Sequence, residues 1–207
     1  WGIKTDPISY LGYEEARELT RMDAPIIHSS TMEPIQGTGI PIEIRHLYSN
    51  QSGLAPTTIG PDIVNLNYTK AIGCLRSVSK IEIDTKEIDS SKSVGELLIQ
   101  LDEKDVTCWS LNYLPSKIEL IISQNKFNDA KDIINSKFGK MSLKDYPALI
   151  SLIGNLELES LKLDLLTNMK LNEDLEILSK TPYSIQLLCK NIDVKSILEK
   201  LSKSVKS

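Results

Sequence analysis

The 207-residue sequence predicts a mixed fold, α/β at its amino-terminal end and α+β beyond. Residues 13–59 string together a helix, a short apolar run, a capped second helix, a strand and a loop. From about residue 63 the pattern strand–helix–strand–strand–helix appears twice. Lys117-Ile118-Glu119-Leu120 and Ser184-Ile185-Gln186-Leu187 match across the two rounds, so the second part reads as two ferredoxin-like βαββαβ units. No glycine- or serine-rich linker separates them, and they are expected to pack together.

Apolar residues make up 41% of the chain and charged residues 25%, enough for a core in a soluble protein. A net charge of −4 without a basic block excludes a nucleic-acid footprint. No apolar run is long enough to span a bilayer, and no charged-then-apolar leader opens the chain. Cys74, Cys108 and Cys189 lack the short spacing of a zinc site and sit among apolar neighbours. They read as reduced thiols of a cytoplasmic protein.

The chain opens on Trp-Gly without methionine, as the middle of a longer protein would, and Thr5-Asp6-Pro7 signals a turn. Tyr13 to Arg21 is rich in helix formers. Glu14 and Glu15 favour its first turn, Glu14 can pair with Arg17, and Ala16, Leu19 and Thr20 form the face to be buried. The glutamates read as a solvated charged face, because adjacent carboxylates diverge on a helix. After the apolar Pro25-Ile26-Ile27, Ser30 and Glu33 have capping-box spacing. The free N–H groups of that helix start could support a phosphate, while His28 reads as a hydrogen-bonded residue that fixes the turn. Gly37-Thr38-Gly39 ends the helix, and Ile40 to Leu47 alternates as a strand. Arg45 and His46 lie at its carboxyl end, where α/β sheets bind ligands. Gly53 and Pro56 mark a loop, and Thr57-Thr58-Ile59 a return strand.

In the first round, strands are expected at Lys80–Asp84, Val106–Ser110 and Lys117–Ser123. The helices are Ser91–Leu101, with Val94, Leu97, Leu98 and Leu101 on one face, and Phe127–Phe138, with Phe127, Ala130, Ile133 and Ile134. In the second round, strands fall at Pro147–Ile153, Leu175–Ser179 and Tyr183–Cys189, and helices at Leu156–Met169 and Val194–Leu201.

Residues 13–48, YEEARELTRMDAPIIHSSTMEPIQGTGIPIEIRHLY, resemble the last segment of the aspartate kinase catalytic domain. Tyr13, Glu15, Ala16, Glu18, Leu19, Ala24, His28, Thr31, Pro34, Ile40, Pro41 and Ile42 fit the family pattern S-Y-x-E-A-x-E-L-A-x-x-G-A-x-V-L-H-P-x-T-x-x-P…I-P-I. Residues 1–7, WGIKTDP, are similar to the turn that borders its nucleotide site, one residue shorter. The two repeats look like the paired ACT domains that follow. The resemblance implies a remnant of an amino-acid-kinase α/β domain at 1–62, followed by ACT modules at 63–140 and 141–207. It implies transfer of the γ-phosphoryl group of ATP, with Mg2+, to the β-carboxylate of L-aspartate, the first step toward lysine, threonine and methionine.

By that resemblance Gly2, Lys4, Asp6 and Arg45 edge the nucleotide, with His28 and Ser30 supporting the phosphate side. Lys4 stands where the family has tyrosine, Arg45 where it has lysine and His46 where it has asparagine, and a longer arginine-containing link is missing after Pro7. The catalytic lysine-glycine-glycine opening is expected upstream of Trp1, so this chain alone should not turn over aspartate. Effector-binding positions fall at Asp84, Ser90, Asn112 and Lys117. Here Leu111 replaces the family's glutamine, Lys117 its asparagine, and the loop from Asp84 to Ser91 has no glycine, so feedback by lysine or threonine is expected to be weak or absent. The bland reading of Lys117 is a solvated strand-edge lysine. Exposed ACT sheet edges imply a homodimer. The second reading is a non-catalytic, amino-acid-sensing regulatory subunit.

Overall fold

A computed structural model describes residues 3, 6–22, 27, 29–45, 47, 55–63, 69–84, 91–138, 140–154, 171 and 173–203. The expected helix at Leu156–Met169 lies outside these residues, as do Gly2, Lys4, His28, His46 and Ser90 and the side chain of Ser30. The chain divides into two compact units, residues 1–75 with 149–207 and residues 76–148.

In the first unit, β1 (Tyr10–Gly12) runs directly into α1 (Tyr13–Arg21). A short helix α2 (Ser29–Met32) and strands β2 (Ile42–Ile44) and β3 (Thr57–Gly60) follow. The three strands form a sheet in the order β1-β3-β2, parallel between β1 and β3 and antiparallel between β2 and β3. β1 escapes a sequence reading because three residues are too few to show a period. β2 is shorter than the expected 40–47, since Ile40 and Pro41 are exposed and only Ile42 to Ile44 pair with β3. Gly37 and Gly39 have φ of 78° and 75°, values that favour glycine, and they make the turn after α2. Tyr13 donates to the Ile40 carbonyl at 2.6 Å and ties that turn to α1.

The second unit is the first ferredoxin-like repeat. β4 (Ala71–Asp84) leads to α3 (Ser91–Glu103), β5 (Cys108–Leu114), β6 (Lys117–Ser123), α4 (Phe127–Phe138) and β7 (Met141–Ile153). Its strand order is β5-β6-β4-β7. Ile81 and Ile83 of β4 and Ile118, Leu120 and Ile122 of β6 share one core with Val94, Leu97 and Leu101 of α3 and Ala130, Ile133 and Ile134 of α4. Leu98 is exposed, contrary to expectation, because Val94, Leu97 and Leu101 suffice to cover the sheet. β5 begins after Val106, which is drawn back onto α3. Asp105 turns through φ 54°, and the Val106 N–H bonds the Leu101 carbonyl at 2.8 Å, a left-handed helix end with its apolar contact.

β4 and β7 run through both units. Ser77 of β4, just past the division at Leu75, has φ of 52°. In the first unit β8 (Leu175–Lys180) and β9 (Ser184–Cys189) pair antiparallel, and α5 (Val194–Ser202) is capped by Asp193, which accepts from Ser196 N–H. The order there is β4-β7-β9-β8. The fourth strand of the second repeat is therefore the early part of β4, and the first repeat sits in sequence inside the second. A division along the chain at 63 and 141 differs from the compact units for this reason. Strand β7 also starts before Pro147, through the exposed Ser142 to Asp145, whose polarity reads as loop.

Candidate functional site

In the first unit, topology gathers one end of the three-stranded sheet. Ser9 accepts from Thr58 N–H at 2.9 Å and the Ile8 carbonyl from the Thr57 hydroxyl at 2.6 Å. β2 runs antiparallel to β3, with Ile44 opposite Thr57. The approach to β1, which carries Asp6, and the exit of β2, which carries Arg45, therefore share an end. Both residues are exposed. Arg45 pairs with Glu43 at 2.7 Å, yet 62% of its side chain stays open to solvent, so its fork remains available to an anion.

Behind this end, α1 is anchored by charge. Gly12, the residue before the helix, has no side chain to cap it. Asp62 does so from a distance, accepting from Glu14 N–H at 3.1 Å. A Cβ at Gly12 would collide with the Asp62 carboxylate, so close approach rather than φ demands glycine. Burial, with Glu14 and Glu15 nearby, pushes the Asp62 carboxyl above its ordinary range despite the N–H it receives. The expectation of a solvated glutamate face fails at Glu15. It is buried, and one oxygen takes the Gly12 N–H at 2.7 Å and the Lys70 ammonium at 2.6 Å. Its other oxygen has no partner among the described residues. Lys70 is 4% exposed and also lies 5.7 Å over the Tyr10 ring. Glu18 is half-buried and accepts from the Ser184 hydroxyl at 3.1 Å. The expected Glu14–Arg17 pair forms at 3.6 Å, and Gln36 bridges both side chains.

In the second unit, a groove of about 470 Å3 opens where β4 ends and β6 and β7 begin. It is lined by Glu82, Ile83, Asp84, Ser116, Lys117, Lys140, Met141 and Ser142. Two expected effector residues, Asp84 and Lys117, meet here as register partners. Asn112 stands opposite Glu119 on β5 and does not line the groove.

Lys117 is not the solvated strand-edge lysine of the bland reading. Its ammonium lies 2.6 Å from Glu119 and 3.3 Å from Glu82, while Lys80 lies 3.3 Å from each of the same carboxylates. The register explains the quartet. Antiparallel pairing sets Glu82 opposite Glu119, which puts each lysine diagonal to the other strand's glutamate. Burial pushes the Glu119 carboxyl up, but its hydrogen bond to Lys117 and the charges of Lys80 and Lys117 outweigh that and hold it below the ordinary range. Both ammonium groups are held above theirs, Lys117 first by its bond to Glu119, and Lys80 by both glutamates against the opposing effect of burial. Glu82, Glu119 and Lys80 escaped the search for site residues, although the repeated tripeptide Lys-Ile-Glu at 80–82 and 117–119 was a usable signal.

Among the described residues, no three His, Cys, Asp or Glu side chains cluster as metal ligands, and no helix is long and apolar enough to cross a membrane.

These features define a mixed α/β fold with ACT-type modules and a small three-stranded sheet near the start of the described residues. No family model matches the chain. Aspartokinase 1, chloroplastic, of Arabidopsis thaliana is 22% identical over 183 residues, which cover 78% of this chain and 30% of that protein. Clostridium acetobutylicum aspartate kinase superposes with a TM-score of 0.76 at 19% identity, over 98% of this chain and 49% of that one. Escherichia coli aspartokinase III, solved with lysine and aspartate, gives 0.73 at 14% identity over 98% and 47%. The ligand-free regulatory subunit of Thermus thermophilus aspartate kinase gives 0.54 at 9% identity over 68% of this chain and 100% of that one. At these identities the structural likeness is one of fold. The chain is similar to aspartate kinases and spans about half the length of the solved ones it matches.

Proposed function

We propose that the chain is the carboxyl-terminal, regulatory portion of an aspartate kinase, whose whole protein transfers the ATP γ-phosphoryl group to the β-carboxylate of L-aspartate. The supporting observation is superposition of 98% of the chain on about half of a solved aspartate kinase. In this reading the kinase remnant ends near residue 62 and the two ACT modules fill the rest. The sheet end carrying Asp6 and Arg45 is the trailing wall of the nucleotide pocket. Arg45 would meet phosphate oxygens as a fork, and Ser30 and His28 would support that side. ATP would carry Mg2+, which would neutralise charge on the transferring phosphoryl group, while this part of the chain would position it and an amino-terminal half would complete the site. The groove at Asp84 and Lys117 is the effector position, and a homodimer forms through the ACT sheets.

The test is ATP-dependent formation of aspartyl hydroxamate. These residues alone should give none. Joined to an aspartate kinase amino-terminal half, they should give turnover that falls at least tenfold with Arg45→Ala. Turnover by the isolated chain, or no effect of Arg45→Ala in an active fusion, refutes the assignment. The regulatory-subunit reading is favoured by the match to a free-standing regulatory subunit over its whole length. A dimer without ATP affinity would select it.

A further inference from the structure

We propose that Lys117 is a tethered occupant of the cation position in the groove, and that it makes the groove refuse ligands presenting a free ammonium group. This deepens the effector reading above and rests on it.

A small molecule with an ammonium group needs carboxylates that are partly desolvated and unspent. Glu82, Asp84, Lys117 and Lys140 line the groove, and two residues outside its lining, Glu119 and Lys80, are paired to Lys117 and Glu82 respectively. Glu119 is the best acceptor, with its side chain 11% exposed, and both lysines of the quartet already contact one of its oxygens. Glu82 is reached by the same two lysines at 3.3 Å. Lys117 therefore spends the acceptor capacity that a ligand amine would use. Lys117, the first residue of β6, lines the groove, and 36% of its side chain is exposed. Lys80 is more deeply held, at 12% exposed, and does not line the groove. Lys117 is the member of the quartet that a ligand could replace.

The register makes the position specific. Glu82 and Glu119 are Cα partners, so loss of Lys117 leaves two facing carboxylates to share Lys80. Like charges directly opposite on a sheet are destabilising. The site then has an unmet demand for one cation, at the place where the Lys117 ammonium stood, with Asp84, Ser116 and Ser142 around it.

The experiment is chemical rescue followed by thermal unfolding of the 207-residue chain. The wild-type protein should show no shift with millimolar lysine or n-butylammonium beyond that of equal sodium chloride. Lys117→Ala should melt lower and regain about 2 °C or more with either amine. Sodium chloride and acetate should not restore it. Adding Glu119→Gln to the Lys117→Ala variant should abolish the response. Should Lys117→Ala fail to fold, Lys117→Asn keeps a polar side chain too short to reach both carboxylates and must show the same rescue. A wild-type protein stabilised by lysine overturns the proposal, as does a folded Lys117 variant indifferent to both amines. Neither result touches the aspartate kinase assignment, which the hydroxamate assay decides separately.

Discussion

Each unit holds a lysine–glutamate arrangement, and the two are built on opposite terms. Glu15 and Lys70 in the first unit meet at 2.6 Å, with side chains 2% and 4% exposed. Lys80, Glu82, Lys117 and Glu119 in the second share four contacts, with side chains from 11% to 37% exposed. In the buried pair neither charge is open to water. In the quartet every charge has two partners and some solvent, so losing one leaves the rest partly served. The difference assigns roles. Glu15–Lys70 is a fixed joint between α1 and the entry to β4, whereas the quartet can exchange a member for an outside ion.

The largest expected effect comes from breaking the joint. Lys70→Met should cost about 3–5 kcal/mol, because it leaves Glu15 charged, buried and unmatched. A drop in melting temperature larger than that of any quartet variant would show it. Replacing both residues with apolar ones should recover most of the loss, since an ion pair exchanged for well-packed apolar groups is often neutral. It should not recover all of it, because Glu15 also takes the Gly12 N–H. A double variant as unstable as Lys70→Met would mean that packing, not charge, makes the joint.

Next in size is the cap supplied by Asp62. Asp62→Ala should cost about 1 kcal/mol, the usual worth of an N-cap acceptor. Gly12→Ala should be at least as costly, because its Cβ would evict the same carboxylate. Urea titration of both variants checks this. Equal stability of Gly12→Ala and wild type would remove Asp62 from the account of α1. Glu119→Gln should cost less, about 1 kcal/mol or below, as expected for a surface-facing network. If it matched Lys70→Met, the contrast between the two arrangements would fail.

The sequence made the second unit more legible than the first. Its helices and β6 follow apolar periods of ordinary length, and Phe127–Phe138 and Lys117–Ser123 came out at their observed bounds. The pairing register was not legible, and without it the two Lys-Ile-Glu tripeptides, a usable signal of a shared pattern, could not show that four charges meet. In the first unit the helix at Tyr13–Arg21 was readable, but the fate of Glu15 was not. A glutamate at a first turn looks solvated unless its partner is known, and Lys70 lies 55 residues away. The fourth strand of the second repeat was hidden for a similar reason. It precedes the first repeat in the chain, and periodicity cannot report a pairing across an insertion. Of the candidate site residues, Asp84 and Lys117 were named by resemblance and both line the groove, while Asp6 and Arg45 share a sheet end only through strand direction.

The smallest effect is a pH dependence whose two parts have opposite signs. Glu119 is held below the ordinary carboxylate range. Its contribution to stability is therefore present above that range and is lost as pH falls through the folded-state value. Asp62 is held above its ordinary range. Its charged form is disfavoured by folding, so it imposes a penalty at neutral pH that protonation relieves on acidification. In carbon-13 NMR titrations, the Asp62 carboxyl should titrate above the ordinary aspartate value of 3.8 and the Glu119 carboxyl below the ordinary glutamate value of 4.5. Lys117→Ala should move the Glu119 midpoint upward and leave that of Asp62 unchanged. High salt should do the same to Glu119 more weakly, since its partners are partly exposed to screening ions. A Glu119 midpoint indifferent to Lys117 would show that the quartet is a solvated cluster without mutual hold, and the exchangeable half of the comparison would collapse with it.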